Sequence, residues 1–312
     1  DMRVTSPMKR VDGKLKATTW EEALDIVADK LKDAGMNAGF VSTASILNED
    51  ALALRRFAKN AVKTKNFDTT ISLYAEADSM RLSGVADIDK ADLIVVVGLN
   101  PSQWQRVLPA LDASIRKKVD RDARLIVINS TETGLSSVAN ITLKGEEVSN
   151  LKAIAKALIG RGFRGDKKIE DAISGINISA DIEKAATLFV GSESPLILSA
   201  PSLYAASANI ALLSHSLPTT SVVAVPAESN AKGVVLMGLT TGNKTYKDMI
   251  SGDVKVLYAI GEIPLKERPN VDFLIVQNSH FTELSRQADI VLPSAAALEV
   301  EGSIVDYLGR LK

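Results

Sequence analysis

The chain has 312 residues, of which 46% are apolar, and its 37 basic and 38 acidic side chains give a formal net charge of −1. This length and apolar content are enough to fill the cores of two α/β domains. The balanced charge provides no positive field for nucleic acid, and no apolar run approaches the roughly 18 residues that cross a bilayer.

The sequence contains no cysteine and only two histidines, His215 and His280. Because it has no cysteine, this sequence can form no disulfide, thiolate zinc site or cysteine-ligated iron–sulfur cluster. The two histidines lie far apart in sequence and no spacing supplies further ligands, so we interpret both as structural or surface residues. We therefore predict no metal ligand and no catalytic residue in this chain. The first residues lack the order of a signal peptide, which predicts a cytoplasmic location.

The amino-terminal part of the chain predicts an arm and a first β-α unit. Arg3 to Lys16 is interpreted as an irregular arm that ends in a hairpin-like turn at Asp12-Gly13. Thr19-Trp-Glu-Glu22 has the pattern of a capping box at the start of a helix. Gly39 to Ser42 predicts a strand, and Asn48 is expected to cap a helix that runs towards Val62.

Phe67 to Ser83 has little periodicity and is interpreted as a surface or interdomain loop. Asp68 and Ser72 in this stretch are oxygen ligands in principle. We keep open the alternative that one of them binds a metal.

Ala91 to Gly98 is the clearest buried strand, because it is continuous and rich in β-branched residues. Gly98-Leu-Asn-Pro101 follows it and is expected to open a helix that runs through Ile115. Nucleotide phosphates bind at the carboxyl ends of strands in open parallel sheets, so Gly98, Asn100 and Pro101 are candidate cofactor-binding residues. The spacing is not Gly-x-Gly-x-x-Gly, and the signal alone is weak.

The rest of the chain continues the alternation of strands and helices. Gly160 to Gly165 carries three glycines but lacks the lysine and the preceding strand of a phosphate-binding loop. Helices are predicted at 151–159 and 182–189, and strands at 124–129, 139–145, 195–199, 221–225, 255–264, 272–277 and 290–292.

Three further loops supply candidate residues. Pro226-Ala-Glu-Ser-Asn-Ala-Lys-Gly233 follows a predicted strand, and Gly261-Glu-Ile-Pro264 repeats the pattern of Gly98-Leu-Asn-Pro101. The third loop contains Glu299-Val-Glu-Gly302 and comes after Pro293, which ends the last predicted strand. The candidate cofactor-binding residues in these loops are Glu228, Asn230, Gly233, Gly261, Glu262, Pro264, Glu301 and Gly302.

The order of Ala288-Asp-Ile-Val-Leu-Pro293, Glu299-Val-Glu-Gly302 and Gly309-Arg310 resembles the signature of the molybdopterin oxidoreductase superfamily. Glu301 to Arg310 is most similar to the large subunit of respiratory complex I, the G or 75 kDa subunit of NADH:quinone oxidoreductase. Pro7, Asp12-Gly-Lys and Trp20 to Asp25 extend the resemblance to the start of the chain.

This resemblance implies two Rossmann-like, three-layer αβα domains with mostly parallel sheets, one inserted into the other. It places residues 67–190 in the inserted domain and residues 1–66 and 191–312 in the first domain. It also implies that the chain is an excerpt of a longer subunit, with iron–sulfur clusters on an amino-terminal region and a further carboxyl-terminal domain.

The chain departs from the family pattern at several positions. Relatives carry Asp-Pro-Arg and a Pro-Gly-Thr-Asp-like turn where this sequence has Asn129-Ser-Thr131 and Lys144-Gly-Glu-Glu147. The arginine of the family's Arg-Gly-Glu-Asn-Asn-x-x-Gly element is also replaced, although Glu228, Asn230 and Gly233 are kept. These departures argue against a molybdopterin guanine dinucleotide held as in the active enzymes.

Three functions follow as hypotheses from the resemblance. The favoured one is a scaffold region of the large complex I subunit, not catalytic by itself, with the other subunits of the complex as partners and any contact with the inner membrane made through them. The alternatives are a fragment of an active molybdopterin enzyme such as a formate dehydrogenase, and a nucleotide-binding module.

The sequence finally predicts that Leu298 to Arg310 is mobile. Ile304, Val305, Tyr307 and Leu308 form an apolar cluster with little sequence after it to cover it.

Overall fold

A computed structural model describes residues 3–103, 108–164, 167–213, 221–240 and 242–312. Gly165 and His215 lie outside these ranges. The described strands are β1 (Met8–Val11), β2 (Lys14–Ala17), β3 (Ala38–Ser42), β4 (Phe67–Thr69), β5 (Leu93–Val97), β6 (Arg124–Asn129), β7 (Ile141–Lys144), β8 (Pro195–Ser199), β9 (Ser221–Ala224), β10 (Val256–Ile260), β11 (Phe273–Asn278) and β12 (Ile290–Pro293).

The described helices alternate with these strands, as expected for an α/β chain. They are α1 (Trp20–Ala34), α2 (Asn48–Arg56), α3 (Ala77–Leu82), α4 (Pro109–Arg121), α5 (Glu147–Gly160), α6 (Lys167–Ile173), α7 (Ala180–Val190), α8 (Tyr204–Leu213), α9 (Ala231–Leu236) and α10 (Tyr246–Ile250).

The chain divides into two compact units. The first comprises Asp1–Ala77, Glu228–Asp306 and Leu311–Lys312, and the second comprises Asp78–Ala227 and Tyr307–Arg310. The predicted α/β class with mostly parallel sheets is confirmed, since each unit contains one such sheet.

The first unit is built on a sheet with strand order β2-β1-β12-β11-β10-β3-β4. The strands from β12 to β4 are parallel, whereas β1 pairs antiparallel with both β12 and β2. The predicted irregular arm is therefore corrected, because β1 and β2 form a hairpin whose turn residues Asp12 and Gly13 have φ of 51° and 75°. This conformation matches the right-handed twist of paired strands.

Helix α1 shows how local sequence produces the layer on this sheet. The Thr19 side chain accepts a hydrogen bond from the Glu22 backbone N–H at 3.2 Å, as the capping pattern predicts. Ala23, Val27 and Leu31 recur at helical spacing and are buried against one face of the sheet.

The second unit contains the fully parallel sheet β7-β6-β5-β8-β9. Its central strand β5 reads Leu-Ile-Val-Val-Val, and all five residues are buried because apolar clusters cover both faces. The predicted helix that opens at Pro101 is corrected, since α4 begins at Pro109 and residues 101–103 form a turn.

The predicted domain boundaries differ from those of the structure. The expected insertion ended at residue 190, but β8 pairs with β5 and β9 pairs with β8, so the second unit extends to Ala227. At the other junction, β4 pairs with β3 and keeps residues 67–69 in the first sheet. Both corrections arise from strand pairings that local periodicity cannot reveal.

The carboxyl-terminal apolar cluster is covered, contrary to the expectation. Val305 and Leu308 are buried, and Leu308 packs in a core of the second unit. Ile304 and Lys312 exchange two backbone hydrogen bonds, at 3.0 and 2.9 Å. The premise for a mobile segment was therefore wrong at these residues.

Candidate functional site

The candidate residues fall into two groups, one in each unit. The first unit contains Glu228, Asn230, Gly233, Gly261, Glu262, Pro264, Glu301 and Gly302, and the second contains Gly98, Asn100 and Pro101.

Glu228 lies beside the carboxyl ends of β3 and β4, where four donors surround its carboxylate. One oxygen accepts from the hydroxyl of Thr43 at 2.7 Å and from the backbone N–H of Ala44 at 2.8 Å. The hydroxyl of Thr70 contacts both oxygens, at 2.7 and 2.8 Å, and the hydroxyl of Tyr74 donates at 3.0 Å. Hydrogen bonds to an ionised group are stronger than those between neutral groups. Through these bonds Glu228 connects its own loop to residues 43–44 and to residues 70–74.

The negative charge of Glu228 affects the pKa values of two tyrosines, Tyr74 and Tyr246. Burial raises the pKa of Tyr74 well above its ordinary value, and the negative charge of Glu228 adds to the increase. Burial, again with a contribution from Glu228, raises the pKa of Tyr246 to about 12. The Tyr246 hydroxyl is buried and has no hydrogen-bond partner. Both phenols are therefore neutral at pH 7.

Asn230 is fully buried, and its side chain is bonded entirely to its own unit. The amide nitrogen donates to the Ile46 carbonyl at 2.6 Å and to the Asn48 side-chain oxygen at 3.1 Å. The amide oxygen accepts from the Val305 backbone N–H at 2.7 Å, while the Asn230 backbone N–H donates to the Ala44 carbonyl at 3.2 Å. These contacts use the side-chain amide as a donor to two groups and its oxygen as an acceptor from one.

Gly233 is required by this asparagine pair. A Cβ at residue 233 would lie 2.0 Å from Oδ1 of Asn230 and 2.1 Å from Oδ1 of Asn48. The Glu-x-Asn-x-x-Gly pattern thus has a packing explanation within the chain, in which Gly233 leaves the space that the two amides fill.

Gly261 supports the Glu228 cluster from the end of β10. Its φ is 79°, and an added Cβ would lie 2.3 Å from Cγ2 of Thr43, the residue that donates to Glu228. The predicted residues Glu262 and Pro264 are both exposed. The sequence pattern therefore identified one residue that packs beside the cluster and two that lie at the surface.

Glu301 and Gly302 are also exposed, and Gly302 lies against the start of α2. A Cβ at residue 302 would be 2.6 Å from Cδ1 of Leu47 and 2.8 Å from Oε2 of Glu49. A side chain at residue 302 would therefore require the ends of the Leu47 and Glu49 side chains to shift.

The loop after β5 in the second unit differs from these loops. Gly98 has φ of 64°, and an added Cβ would lie 2.5 Å from Cδ1 of Leu203. Pro101 is buried, and Asn100 is 8% exposed. The side-chain oxygen of Asn100 is buried without a hydrogen-bond partner. An orphaned buried acceptor of this kind costs about 1–3 kcal/mol unless water or a ligand donates to it.

Asp68 and Ser72, the alternative metal ligands, are bonded to the protein. Asp68 is 1% exposed, and one carboxylate oxygen accepts from the Thr69 backbone N–H at 2.8 Å. The other accepts from the Ser72 hydroxyl at 2.6 Å and the Tyr246 backbone N–H at 2.7 Å. Over the described ranges, no group of three or more His, Asp or Glu side chains could hold a metal.

Sequence reasoning missed the partners that hold Glu228 and Asn230. Thr43, Thr70 and Tyr74 were not singled out, and Asn48 was expected to be a helix cap. Asn48 is instead the first residue of α2, and its side chain bonds Asn230 and Ser303. The hydroxyl-rich run Thr69-Thr-x-Ser-x-Tyr74 next to a strand was the available signal.

The sequence model of the family described as Molybdopterin oxidoreductase matches residues 3–312. Among curated proteins, the F420-dependent formate dehydrogenase subunit alpha of Methanocaldococcus jannaschii is 24% identical over 394 aligned residues, which cover 99% of this chain and 58% of that protein. The G subunit of the NADH-quinone oxidoreductase of Rickettsia conorii is 24% identical over 327 residues, which cover 99% of this chain and 43% of that protein. The chain thus spans about half the length of these relatives.

Solved structures show the same fold. Acetylene hydratase from Pelobacter acetylenicus matches with a TM-score of 0.75 and 16% identity, over 98% of this chain and 57% of that one. A chain of the formyltransferase/hydrolase complex (FhcABCD) from Methylorubrum extorquens, in complex with methylofuran, matches with a TM-score of 0.69 and 15% identity, over 98% of this chain and 92% of that one. Within the part of the chain that the structure describes, no helix is long and apolar enough to cross a membrane.

Proposed function

This chain belongs to the molybdopterin oxidoreductase family, and from that premise we propose that it is a scaffold region of the large subunit in an NADH:quinone oxidoreductase-type complex. In this proposal the region holds no molybdenum of its own. Electrons pass through iron–sulfur clusters elsewhere in the subunit, and each of the two units provides surface for partner subunits to bind.

The observation that carries this proposal is the use of the family motif for internal bonding. Asn230 uses its side-chain amide to bond Ile46, Asn48 and Val305, and the Glu228 carboxylate accepts from four groups of the same unit. Side chains that are committed in this way hold the fold together and leave little hydrogen-bonding capacity for a cofactor.

The lengths of the alignments also support the proposal. The alignment with the formate dehydrogenase extends over 394 positions and that with the Rickettsia conorii protein over 327, although each covers 99% of this 312-residue chain. The formate dehydrogenase alignment therefore contains many more gap positions. The smaller number of gap positions in the alignment with the Rickettsia conorii protein favours a complex I-type large subunit over a fragment of an active formate dehydrogenase.

The residues present do not fit a molybdenum ion. Of the two candidate oxygen ligands, Asp68 is a buried carboxylate, but three protein donors already contact it. Replacing those donors with a metal would leave the backbone N–H groups of Thr69 and Tyr246 unpaired, which is unfavourable in a buried place. We therefore propose no metal-dependent reaction at Asp68.

Elemental analysis of the purified protein tests the proposal. We expect molybdenum and tungsten far below a stoichiometric amount, and an affinity-tagged chain should copurify with other subunits of an NADH:quinone oxidoreductase-type complex. A stoichiometric amount of either metal, lost in Asp68→Asn but kept in the exposed control Asp78→Asn, would instead support the active-enzyme alternative.

A second candidate function is nucleotide binding by the second unit. The orphaned side-chain oxygen of Asn100 favours it, because this acceptor lies at the carboxyl end of β5, where open parallel sheets bind nucleotides. Guanosine and adenosine diphosphates are suitable probes for calorimetric titration, since their bases carry N–H donors. Binding that weakens about tenfold in Asn100→Ala would support this candidate, and absence of binding by the native chain would exclude it for these nucleotides.

A further inference from the structure

Helix α2 begins without a side-chain cap of its own. Its N-cap residue, Leu47, offers no side-chain acceptor, and the first helical residue is Asn48. The first backbone N–H groups of a helix have no partner within the helix and are normally satisfied by a nearby side chain or by water. In this chain, part of that role is taken by a segment more than 250 residues away.

Ser303 supplies the remote cap. The Asn48 backbone N–H donates to the Ser303 carbonyl at 2.9 Å, and the Asn48 side-chain nitrogen donates to the Ser303 hydroxyl at 3.0 Å. In return, Glu49 accepts from the Ser303 backbone N–H at 2.9 Å and from its hydroxyl at 2.6 Å. These two bonds also lower the pKa of Glu49.

The same segment continues to the Asn230 amide two residues later. The Val305 backbone N–H donates to Asn230 at 2.7 Å, and Asn230 donates to Asn48 at 3.1 Å. Asn48, Ser303, Val305 and Asn230 therefore form a closed ring of hydrogen bonds and chain links. Asn48, Asn230 and Val305 are buried, whereas Glu49 is exposed.

We propose that Gly302 to Val305 form a releasable strap, locked onto α2 by Glu49, which occupies the amide oxygen of Asn230 while it is closed. Glu49 is the lock because it is the charged and exposed member of the contact. Opening the strap breaks the Val305 bond and frees one acceptor of Asn230, so a donor that binds Asn230 must displace the strap. This inference does not depend on the proposed function.

Gly302 provides a second way to disturb the strap. A Cβ at this residue would lie 2.6 Å from Cδ1 of Leu47 and 2.8 Å from Oε2 of Glu49, so Gly302→Ala should displace the Glu49 carboxylate from Ser303. The matched control for Glu49 is Glu21, which occupies the same second helical position of α1. Glu21→Ala removes an equivalent interaction with the helix dipole without touching the strap.

Hydrogen exchange followed by NMR tests the proposal on the full chain. The backbone N–H groups of Ser303 and Val305 should exchange about tenfold faster or more in Glu49→Ala and Gly302→Ala than in the native chain. The side-chain N–H groups of Asn230 should also become less protected. Glu21→Ala should leave all of these rates within about twofold of native.

The proposal is overturned if Glu49→Ala and Gly302→Ala fold, as judged by circular dichroism, and leave the exchange of Ser303 and Val305 at native rates. It is equally overturned if the control accelerates exchange as much as Glu49→Ala does. Should Glu49→Ala not fold, Glu49→Gln answers the same question, because the amide keeps one acceptor and loses the charge.

Discussion

The two units use the polar residues at the carboxyl ends of their strands differently. In the first unit, Glu228 and Asn230 are bonded to side chains and backbone groups of the same unit. In the second unit, Asn100 lies just beyond the carboxyl end of β5, and its side-chain oxygen is buried without a partner. We call a residue a structural joint when its side chain bonds separate segments of the chain, as Glu228 and Asn230 do. Asn100 instead has a side-chain acceptor that no protein group satisfies. Sequence pattern alone does not distinguish the two.

Removal of the Asn230 side chain should have the largest effect of the variants that test this difference between the units. Asn230→Ala leaves the Ile46 carbonyl and the Val305 N–H unpaired in the core, so we expect a loss of about 3–5 kcal/mol in the free energy of unfolding. Urea unfolding followed by circular dichroism measures this loss. A change below about 1 kcal/mol would show that Asn230 is not a structural joint.

Gly233→Ala tests the space that Asn230 and Asn48 occupy. The new Cβ would lie about 2 Å from each amide oxygen and should cost about 3 kcal/mol through overpacking. The matched control is Gly160→Ala in the second unit, where no atom lies within 4 Å of the added Cβ. The control should be neutral or slightly stabilising, because Gly160 ends helix α5. Equal losses in both variants would contradict the packing role of Gly233.

Glu228→Gln tests whether Glu228, like Asn230, is a structural joint of the first unit. The amide group of glutamine presents N–H donors to some of the hydroxyl and backbone donors that the carboxylate accepts, so a loss of about 2 kcal/mol is expected. Glu262→Gln, at an exposed candidate position of the same unit, should change stability by less than about 0.5 kcal/mol. Thermal unfolding of both variants distinguishes them, and similar melting temperatures would show that Glu228 is not a structural joint.

The central strands of both sheets and the positions of most loops could be predicted from the sequence, because they depend on local patterns. The run Leu93–Val97 is buried on both faces, and the glycines at residues 98 and 261 follow strands as expected. The domain boundary at residue 190 was wrong because it depends on the pairing of β8 with β5, in which Leu93 lies opposite Pro195. No local periodicity encodes a pairing between residues so far apart.

The bonding of the candidate site was even less accessible to sequence reasoning. Thr43 and Glu228 are 185 positions apart, and Asn48 and Ser303 are 255 apart. The family resemblance located Glu228, Asn230 and Gly233, but it gave no indication that their partners are Thr43, Tyr74 and Asn48. Hydrogen bonds between distant segments follow from the fold and become visible only with it.

Tyr246→Phe should have a smaller effect and a distinctive pH dependence. The hydroxyl is buried without a partner, so its removal should change stability at pH 7 by less than about 1 kcal/mol. The pKa of the phenol is about 10 in the unfolded chain, and burial raises it to about 12 in the folded unit. Its contribution is therefore complete below about pH 10 and is lost as the pH rises from about 10 to 12.

The phenylalanine variant should accordingly lose less stability than the native chain over this alkaline range, as measured by urea unfolding at successive pH values. Tyr258→Phe is the matched control, because burial also raises the pKa of Tyr258 to about 12 while its hydroxyl donates to Gln277 at 2.8 Å. The control should flatten the alkaline loss in the same way but cost about 1 kcal/mol at pH 7. A native-like alkaline profile in Tyr246→Phe would contradict the raised pKa of this phenol.

The comparison between the units is tested most directly by Asn100→Ala, measured in the same urea unfolding experiment as Asn230→Ala. We predict a change within about 1 kcal/mol at Asn100, neutral or stabilising, because the variant removes an acceptor that no protein group satisfies. A loss at Asn100 of about 3 kcal/mol or more, equal to that at Asn230, would show that both asparagines are structural joints and would contradict the difference between the two units.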